Sequence, residues 1–195
     1  MTSSRSTAFE TIPDTLVDTL WPQTEREADA VPSEPAPTPG LAALPERVLR
    51  VEEYFNGTLW ADGLLLDRRG RVRRRFHVDM RGQWEGDWGR LHEAFVFDDG
   101  ERQQRTWSLR RLPEQDGVRR YEATAGDVVG TARGHARGHE LRWNYVLAVP
   151  VGGRVFQVRM DDRMYLLGER VLINRTEMRK FGVRVGTLFI TFGKP

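Results

Sequence analysis

Apolar and polar side chains alternate along several short runs of the chain from residue 48 onward. Between Val72 and Met80, mostly apolar residues at every second position are interleaved with arginine, histidine and aspartate. A second clear alternation runs from Leu141 to Val149. A period of two residues is typical of a β-strand that buries one face. The pattern therefore predicts β-strands over this part of the chain.

Turn residues separate these runs at short intervals. Examples are Asp98-Asp99-Gly100, Gly152-Gly153 and Gly168-Glu169, and each favours a hairpin. Together the runs and turns predict about ten strands and no long helix. Consecutive strands joined by short turns pair antiparallel, and strands with open edges tend to aggregate. We therefore predict an all-β fold, an antiparallel up-and-down β-barrel of about eight to ten strands.

Residues 1–45 differ in composition from the rest of the chain. They carry seven acidic and two basic side chains, and five prolines lie between residues 32 and 45. Closely spaced prolines favour an extended linker, and few residues here could form a core. We predict a disordered, acidic, proline-rich tail (residues 1–45) followed by a β-barrel domain (residues 46–195). The segment Thr15–Trp21 could form an amphipathic turn that docks on the domain or a partner, although a disordered segment is the favoured interpretation.

The charge is unevenly divided, with −5 in residues 1–45 and +7 in residues 46–195. A basic domain suits an anionic partner such as a fatty acid, a phospholipid surface or nucleic acid, and a solvated surface without a partner is the alternative. The densest basic run, Arg68–Arg75, surrounds a hairpin turn at Gly70, and alternation sends its arginines to opposite faces. Nucleic-acid binding would need one basic face with exposed aromatic side chains, so we expect no nucleic-acid partner.

The chain contains no cysteine, which excludes disulfides, thiolate metal sites and cysteine nucleophiles. His135 and His139 lie four residues apart, but neighbouring glycines favour a turn there and no third ligand is suggested nearby. We therefore expect no metal ion and no cofactor. The sequence shows no apolar run of transmembrane length and no signal peptide, so we expect a cytoplasmic protein.

Asp161 and Asp162 are neighbours in a predicted strand, so their side chains point to opposite faces. They cannot share a proton as a catalytic pair of carboxylates would. If Gly168-Glu169 forms a two-residue turn, Asp162 lies opposite Arg175 in the resulting hairpin. We predict an ion pair between Asp162 and Arg175, either as a structural clasp or as the polar floor of a ligand pocket.

Six segments resemble a known family in their order and spacing. They are FNGTLWADGLLLDRRGRVRRRFHVD (55–79), DDGE (98–101), GDVVGTARG (126–134), LRWNYVLAVPV (141–151), DDRMYLL (161–167) and NRTEMRKFG (174–182). Over residues 50–195 the chain resembles the bacterial family called domain of unknown function 3833. Arg163 departs from the family pattern, which has tryptophan at this position.

The resemblance implies a barrel similar to those of lipocalins and fatty-acid-binding proteins. Many members look like lipoproteins anchored through an N-terminal cysteine, and since this chain has no cysteine we expect that feature not to carry over. Members of the family also tend to lie near genes for fatty-acid modification and for light or oxidative stress. This association implies a lipid ligand without indicating a mechanism.

We predict that the barrel binds a small hydrophobic, fatty-acyl or lipid ligand in its interior. The predicted ligand-binding residues are Asp162, Arg175, Tyr165, Asn174, Trp143 and Tyr145. One alternative is an enzyme of the lyase or isomerase type that acts on a modified fatty acid, with Asp162 or Asp127 as the base. Another is a structural protein-interaction module. The sequence contains no recognisable nucleophile or metal set, which favours binding over catalysis.

Overall fold

A computed structural model describes residues 47–195. This part of the chain contains one short helix, α1 (Val51–Tyr54), and ten β-strands. The strands are β1 (Gly57–Asp67), β2 (Val72–Glu85), β3 (Trp88–Phe97), β4 (Arg102–Gln115), β5 (Val118–Thr124), β6 (Ala132–Arg137), β7 (Glu140–Val151), β8 (Arg154–Leu167), β9 (Val171–Lys180) and β10 (Val183–Gly193). The predicted tail, including Thr15–Trp21, lies outside the described residues.

The ten strands form one closed barrel in which each strand pairs antiparallel with its neighbours in sequence. β1 also pairs with β10, with Trp60 opposite Gly193 and Asp67 opposite Gly186, and this pairing closes the barrel. A closed sheet has no free edge along residues 57–193 that another chain could extend. The predicted all-β, up-and-down barrel is confirmed, and the number of strands is ten. No helix within residues 47–195 has the length and apolar character needed to cross a membrane.

Alternation along each strand sends one set of side chains into the barrel and the other set outward. In β8, Met160, Asp162 and Met164 are buried, whereas Arg159 and Arg163 are exposed. The strand backbone satisfies its own hydrogen bonds through the ladder, so burial of the inward set stabilises the fold at roughly 25 cal/mol per Å² of apolar surface. The same alternation places Asp162 on the inner face, where a charged group is costly to bury.

The helix α1 and its flanking residues close one end of the barrel. The side chains of Leu49, Val51, Tyr54 and Phe55 are all buried in the hydrophobic core. The Leu49 amide donates to the carbonyl of Gly138 at 2.7 Å, which ties this segment to the turn between β6 and β7. An isolated helix of four residues is not stable in water, so packing on the barrel maintains α1.

Gly82 in β2 allows this segment to approach the strand closely. A Cβ atom at this position would lie 1.8 Å from the carbonyl oxygen of Phe55 and 2.8 Å from its carbonyl carbon. Any larger residue would therefore displace the backbone that follows α1. The glycine has a steric role at the closed end of the barrel.

The β8–β9 hairpin differs from its prediction by one residue. Its loop contains three residues, Gly168–Arg170, so Asp162 lies opposite Thr176 instead of Arg175. A shift of one residue moves the facing side chains of one strand to the opposite face of the sheet. The predicted ion pair between Asp162 and Arg175 is wrong, because Arg175 is exposed and its guanidinium contacts the carboxylate of Glu177 at 2.9 Å.

Candidate ligand-binding site

The barrel contains a cavity of about 310 Å³. Barrel diameter grows with strand number, so ten strands leave more interior space than the eight that side chains can fill. The lining is mainly apolar and includes all four methionines of the described residues: Met80, Met160, Met164 and Met178. Methionine side chains are flexible and polarisable, which allows such a wall to adapt to ligands of different shape.

The cavity extends from α1 towards the opposite end of the barrel. Val51 and Phe55 line it beside α1, whereas Arg74, Phe97 and Val149 line it near the turns at the other end. We call the end lined by these last three residues the mouth. All three are less buried than the core residues beside α1, so the cavity is more accessible at the mouth.

Ionic contacts fix Arg74 at the mouth. Its guanidinium lies 3.7 Å from the centroid of the Phe97 ring. The same group contacts the carboxylates of Asp99 at 2.7 Å and Glu101 at 2.6 Å. Since both carboxylates belong to the turn between β3 and β4, Arg74 links β2 to this turn. The aliphatic part of its side chain lies along the cavity wall.

Three aromatic side chains meet within the cavity. The ring centroid of Trp107 lies 6.4 Å from that of Trp143 and 5.4 Å from that of Tyr145, and both pairs are edge-to-face. Gly134 on the neighbouring strand β6 makes room for Trp143, since a Cβ atom there would lie 2.1 Å from the indole ring. The aromatic group forms a rigid apolar surface next to the polar groups of the cavity.

One polar cluster joins Glu93 of β3, Arg105 of β4 and Asp127 of the β5–β6 connection. Glu93 and Arg105 lie directly opposite each other, and Arg105 Nη1 is 3.6 Å from Glu93 Oε2. Arg105 also donates to Asp127, from Nε to Oδ1 at 3.1 Å and from Nε and Nη2 to Oδ2 at 2.9 and 2.7 Å. Trp107 Nε1 donates to Glu93 Oε2 at 3.2 Å. The guanidinium is thus held between two carboxylates.

Burial raises the pKa of Glu93, while the charge of Arg105 and the hydrogen bond from Trp107 oppose the rise. Burial alone would lower the pKa of Arg105, but the nearby Glu93 and Asp127 raise it overall. Arg105 is therefore a permanent positive charge in the wall of the cavity.

A second polar cluster contains Asp162 of β8 with Asn174 and Thr176 of β9, all three of them buried. Burial raises the pKa of Asp162 to about 7, against a smaller lowering by the hydrogen bond from the Thr176 hydroxyl. The Asn174 amide nitrogen donates to Thr176 Oγ1 at 3.1 Å. Asp162 Oδ1 and Asn174 Oδ1 have no hydrogen-bond partner among the described residues. Buried polar atoms without partners are rare, and each needs an explanation.

Tyr145 also lines the cavity. Burial raises the pKa of its phenol well above the ordinary value, and the charge of Asp162 contributes to the rise. The phenol is therefore neutral near neutral pH and can both donate and accept a hydrogen bond.

Four of the six predicted ligand-binding residues line the cavity: Asp162, Asn174, Trp143 and Tyr145. Arg175 and Tyr165 do not, because both lie at outward positions of the β8–β9 hairpin. Arg175 faces outward because the loop has three residues and not the predicted two. Tyr165 lies three residues from the inward Asp162 on β8 and so points to the opposite face whatever the loop length. Whether the four inner residues bind a ligand stays a prediction.

Four further residues that line the cavity were not predicted from the sequence: Glu93, Arg105, Trp107 and Thr176. The sequence did contain a signal for Glu93 and Arg105. Glu93 lies two residues after Leu91 in β3, so both side chains are expected to face inward. The register of the turn after β3 would then have placed Arg105 opposite it.

The histidine pair of the sequence is not part of this site. His135 is exposed on β6, and His139 is exposed immediately after the turn at Gly138. Among residues 47–195, no group of three or more His, Cys, Asp or Glu side chains is placed to hold a metal ion.

A family match covers most of the chain. No curated protein matches the chain. One family, described as "Protein of unknown function (DUF3833)", matches residues 40–194, which is most of the chain and includes every strand of the barrel. The chain therefore belongs to the family described as "Protein of unknown function (DUF3833)".

Proposed function

We propose that this protein binds a small hydrophobic molecule, such as one with a fatty-acyl or alkyl chain, inside the barrel. The observation that supports the proposal is the cavity of about 310 Å³ with its mainly apolar lining. Protein interiors are normally packed as closely as organic crystals, so an apolar space of this size is costly to the fold. Small-molecule sites are typically apolar clefts of this volume or larger with a few convergent polar groups.

The arrangement of the lining supports an amphiphilic ligand. The apolar wall continues from Phe55 beside α1 to Val149 at the mouth. The polar groups lie in two separate clusters, around Arg105 and around Asp162. A ligand with one polar group and one chain would therefore place the polar group at a cluster and bury the chain among the apolar residues.

The proposal is tested by native mass spectrometry of the freshly purified protein and by calorimetric titration with dodecyl compounds. In the variant Leu188→Trp, an indole would occupy cavity space next to β9, and we expect binding at least about tenfold weaker. Phe189→Trp is the matched control, since Phe189 is the adjacent, exposed position on the outer face of β10. Equal affinities of the two folded variants, or no binding of any dodecyl compound, would contradict the proposal.

A second candidate is catalysis on the bound molecule. Burial raises the pKa of Asp162 to about 7, which suits a group that exchanges protons near neutral pH. Tyr145 lies close enough for the charge of Asp162 to raise its pKa. An isomerase or lyase reaction with Asp162 as base predicts that a bound unsaturated or hydroxylated chain changes in mass or double-bond position during incubation. Recovery of an unchanged ligand would favour binding alone.

A further inference from the structure

We propose that the polar group of the ligand donates hydrogen bonds and carries no negative charge, and that Asp162 and Asn174 accept those bonds. This inference rests on the proposed ligand-binding function and narrows its ligand class. An alkyl amine and an alkyl alcohol share the required chemistry, whereas a free fatty acid in its carboxylate form does not.

Two acceptors beside Thr176 are left without a partner at the cavity. Thr176 lies directly opposite Asp162 in the sheet, and its Oγ1 accepts from the Asn174 amide nitrogen at 3.1 Å. This bond uses one of the two N–H groups of Asn174 and leaves its amide oxygen free. Asp162 Oδ1 is free as well, and an ionised carboxylate can only accept.

Both acceptors are almost fully buried, since Asp162 is 4% and Asn174 2% exposed, and both residues line the cavity. A buried acceptor without a partner costs about 1–3 kcal/mol, and more if it is charged. An alkyl ammonium group has three N–H donors and can remove this cost at both atoms, whereas the single O–H of an alcohol can remove it at one. A ligand carboxylate would instead add two further acceptors to a site that already has unmatched ones.

The charges of the interior lead to the same conclusion. Arg105 supplies one positive charge near Asp162, and its donors are already directed to Asp127 and Glu93. Arg74 supplies a second at the mouth, where Asp99 and Glu101 neutralise it, although its Nε has no partner. Glu93, Asp127 and Asp162 supply three carboxyl groups, of which Glu93 and Asp162 are buried. A ligand carboxylate would be a third buried acidic group in a medium of low dielectric constant, whereas an ammonium group would meet opposite charges.

The groups that face Asp162 come from several strands. On β9 they are the polar Thr176 and Asn174, and on β7 the neutral phenol of Tyr145. Three charged groups also act on Asp162: Asp161 on its own strand, Arg105 on β4 and Glu93 on β3. The pKa of Asp162, raised by burial to about 7, means that its ionised fraction increases between about pH 6 and 8. The affinity for an amine should rise over this interval, and that for a carboxylate should fall.

The experiment compares dodecylamine, dodecanol and laurate by calorimetric titration of the full chain, below their micellar concentrations. At about pH 7.5 we expect dodecylamine and dodecanol to bind at least about tenfold more tightly than laurate. The surface does not produce this preference, because residues 46–195 carry a net charge of +7 and would attract laurate to the outside. From about pH 6 to 8 the amine should gain affinity and the alcohol should change less.

Two adjacent substitutions separate the site from the surface. Asp162→Asn removes the inner charge and is expected to weaken dodecylamine binding by about tenfold or more. Asp161→Asn is the matched control, because Asp161 is the next residue and its carboxylate accepts from Asn144 on the outer side of the sheet. If Asp162→Asn fails to fold, Asn174→Leu and the pH profile of the unaltered protein provide the same test.

The possible outcomes distinguish this inference from the function on which it rests. Laurate binding as tightly as dodecylamine at every pH, with sensitivity to Leu188→Trp, would overturn the inference and retain the ligand-binding function. Equal effects of Asp161→Asn and Asp162→Asn on amine binding would also overturn the inference. Failure of all three compounds to bind would overturn both.

Discussion

Arg105 lies between the carboxylates of Glu93 and Asp127 inside the barrel. We expect Arg105→Met to lower the free energy of unfolding by about 3 kcal/mol, because it leaves Glu93 buried without its counter-charge. The double variant Glu93→Leu/Arg105→Met should recover part of the loss, since both charges are removed. Urea denaturation measures these differences, and Arg102→Met, at an exposed position of the same strand, is the control. A loss from Arg105→Met no larger than from Arg102→Met would contradict the prediction.

Asp162 should make stability depend on pH in an unusual direction. Its pKa in the folded protein is raised by burial from 3.8 to about 7, so the folded state holds the proton more tightly than the unfolded state. Between about pH 4 and 7 unfolding therefore releases a proton, and this group's contribution to stability is lost as the pH rises. The contribution is fully present below about pH 4.

The variant Asp162→Asn mimics the protonated carboxyl at every pH. We expect it to match the unaltered protein near about pH 3.5 and to be more stable by a few kcal/mol near about pH 8. Denaturant titrations at the two pH values measure this difference. Asp161→Asn should show a much smaller pH-dependent gain, because it removes only the contribution of the Asp161 charge to the raised pKa of Asp162. A difference between Asp162→Asn and the unaltered protein that does not change with pH would refute the interpretation.

At the scale of elements, α1 depends on a polar contact as well as on packing. The Tyr121 hydroxyl of β5 donates to a Glu52 carboxylate oxygen at 2.7 Å, and Arg111 of β4 contacts the other oxygen at 3.0 Å. Burial raises the pKa of Glu52, but hydrogen bonds from the backbone, Tyr121 and Arg111 lower it overall. One carboxylate thus links the helix to two strands.

The variant Tyr121→Phe should test this link. We expect it to lower the free energy of unfolding by about 2 kcal/mol, because the hydrogen bond to a charged, partly buried group is lost while the ring remains. Thermal and urea denaturation measure the effect. Tyr165→Phe, on the outer face of β8, is the control and should change stability by less than about 0.5 kcal/mol. Similar losses from both variants would indicate that Tyr121 contributes only through its ring.

The β8–β9 hairpin shows how loop length decides the chemistry of a strand. Asn174 and Thr176 face the cavity because the loop has three residues, while Arg175 between them faces solvent. With a two-residue loop the guanidinium would have lain opposite Asp162. The interior therefore contains an amide and a hydroxyl at this point instead of a cation, which is why Asp162 has an oxygen without a partner.

At the scale of the whole molecule, the two ends of the barrel are packed differently. Near α1, inward residues such as Leu141 and Leu172 are fully buried, at 1% and 0% exposure. Towards the mouth, inward residues such as Leu147, Val149 and Leu188 are only partly buried. Local opening requires less free energy where fewer apolar contacts are broken, so the mouth should open more readily than the closed end.

Hydrogen exchange along β7 should reveal this difference. We expect amides of Leu147–Val151 to exchange faster than those of Leu141–Tyr145, because the first group lies near the mouth and the second near α1. Mass spectrometry of peptides from the two halves measures the rates. Saturation with a bound dodecyl compound should slow the mouth half more, and equal rates in both halves without ligand would contradict the prediction.

The sequence by itself determined the strands and their closure into a barrel. Alternation such as that from Leu141 to Val149 reports directly on which face of a strand is buried, and short turns leave only antiparallel neighbours. It also identified four candidate ligand-binding residues that line the cavity: Trp143, Tyr145, Asp162 and Asn174.

Only the tertiary structure decided which polar groups meet. A single loop residue decided whether Arg175 faces the cavity or solvent, and a local sequence pattern does not determine loop length to one residue. The cavity combines Glu93 and Arg105 with Asp162, residues from strands far apart in sequence that only barrel closure brings together. The unmatched oxygens of Asp162 and Asn174 are likewise a property of this convergence, because a hydrogen-bond deficit exists only once every neighbour of a buried atom is in place.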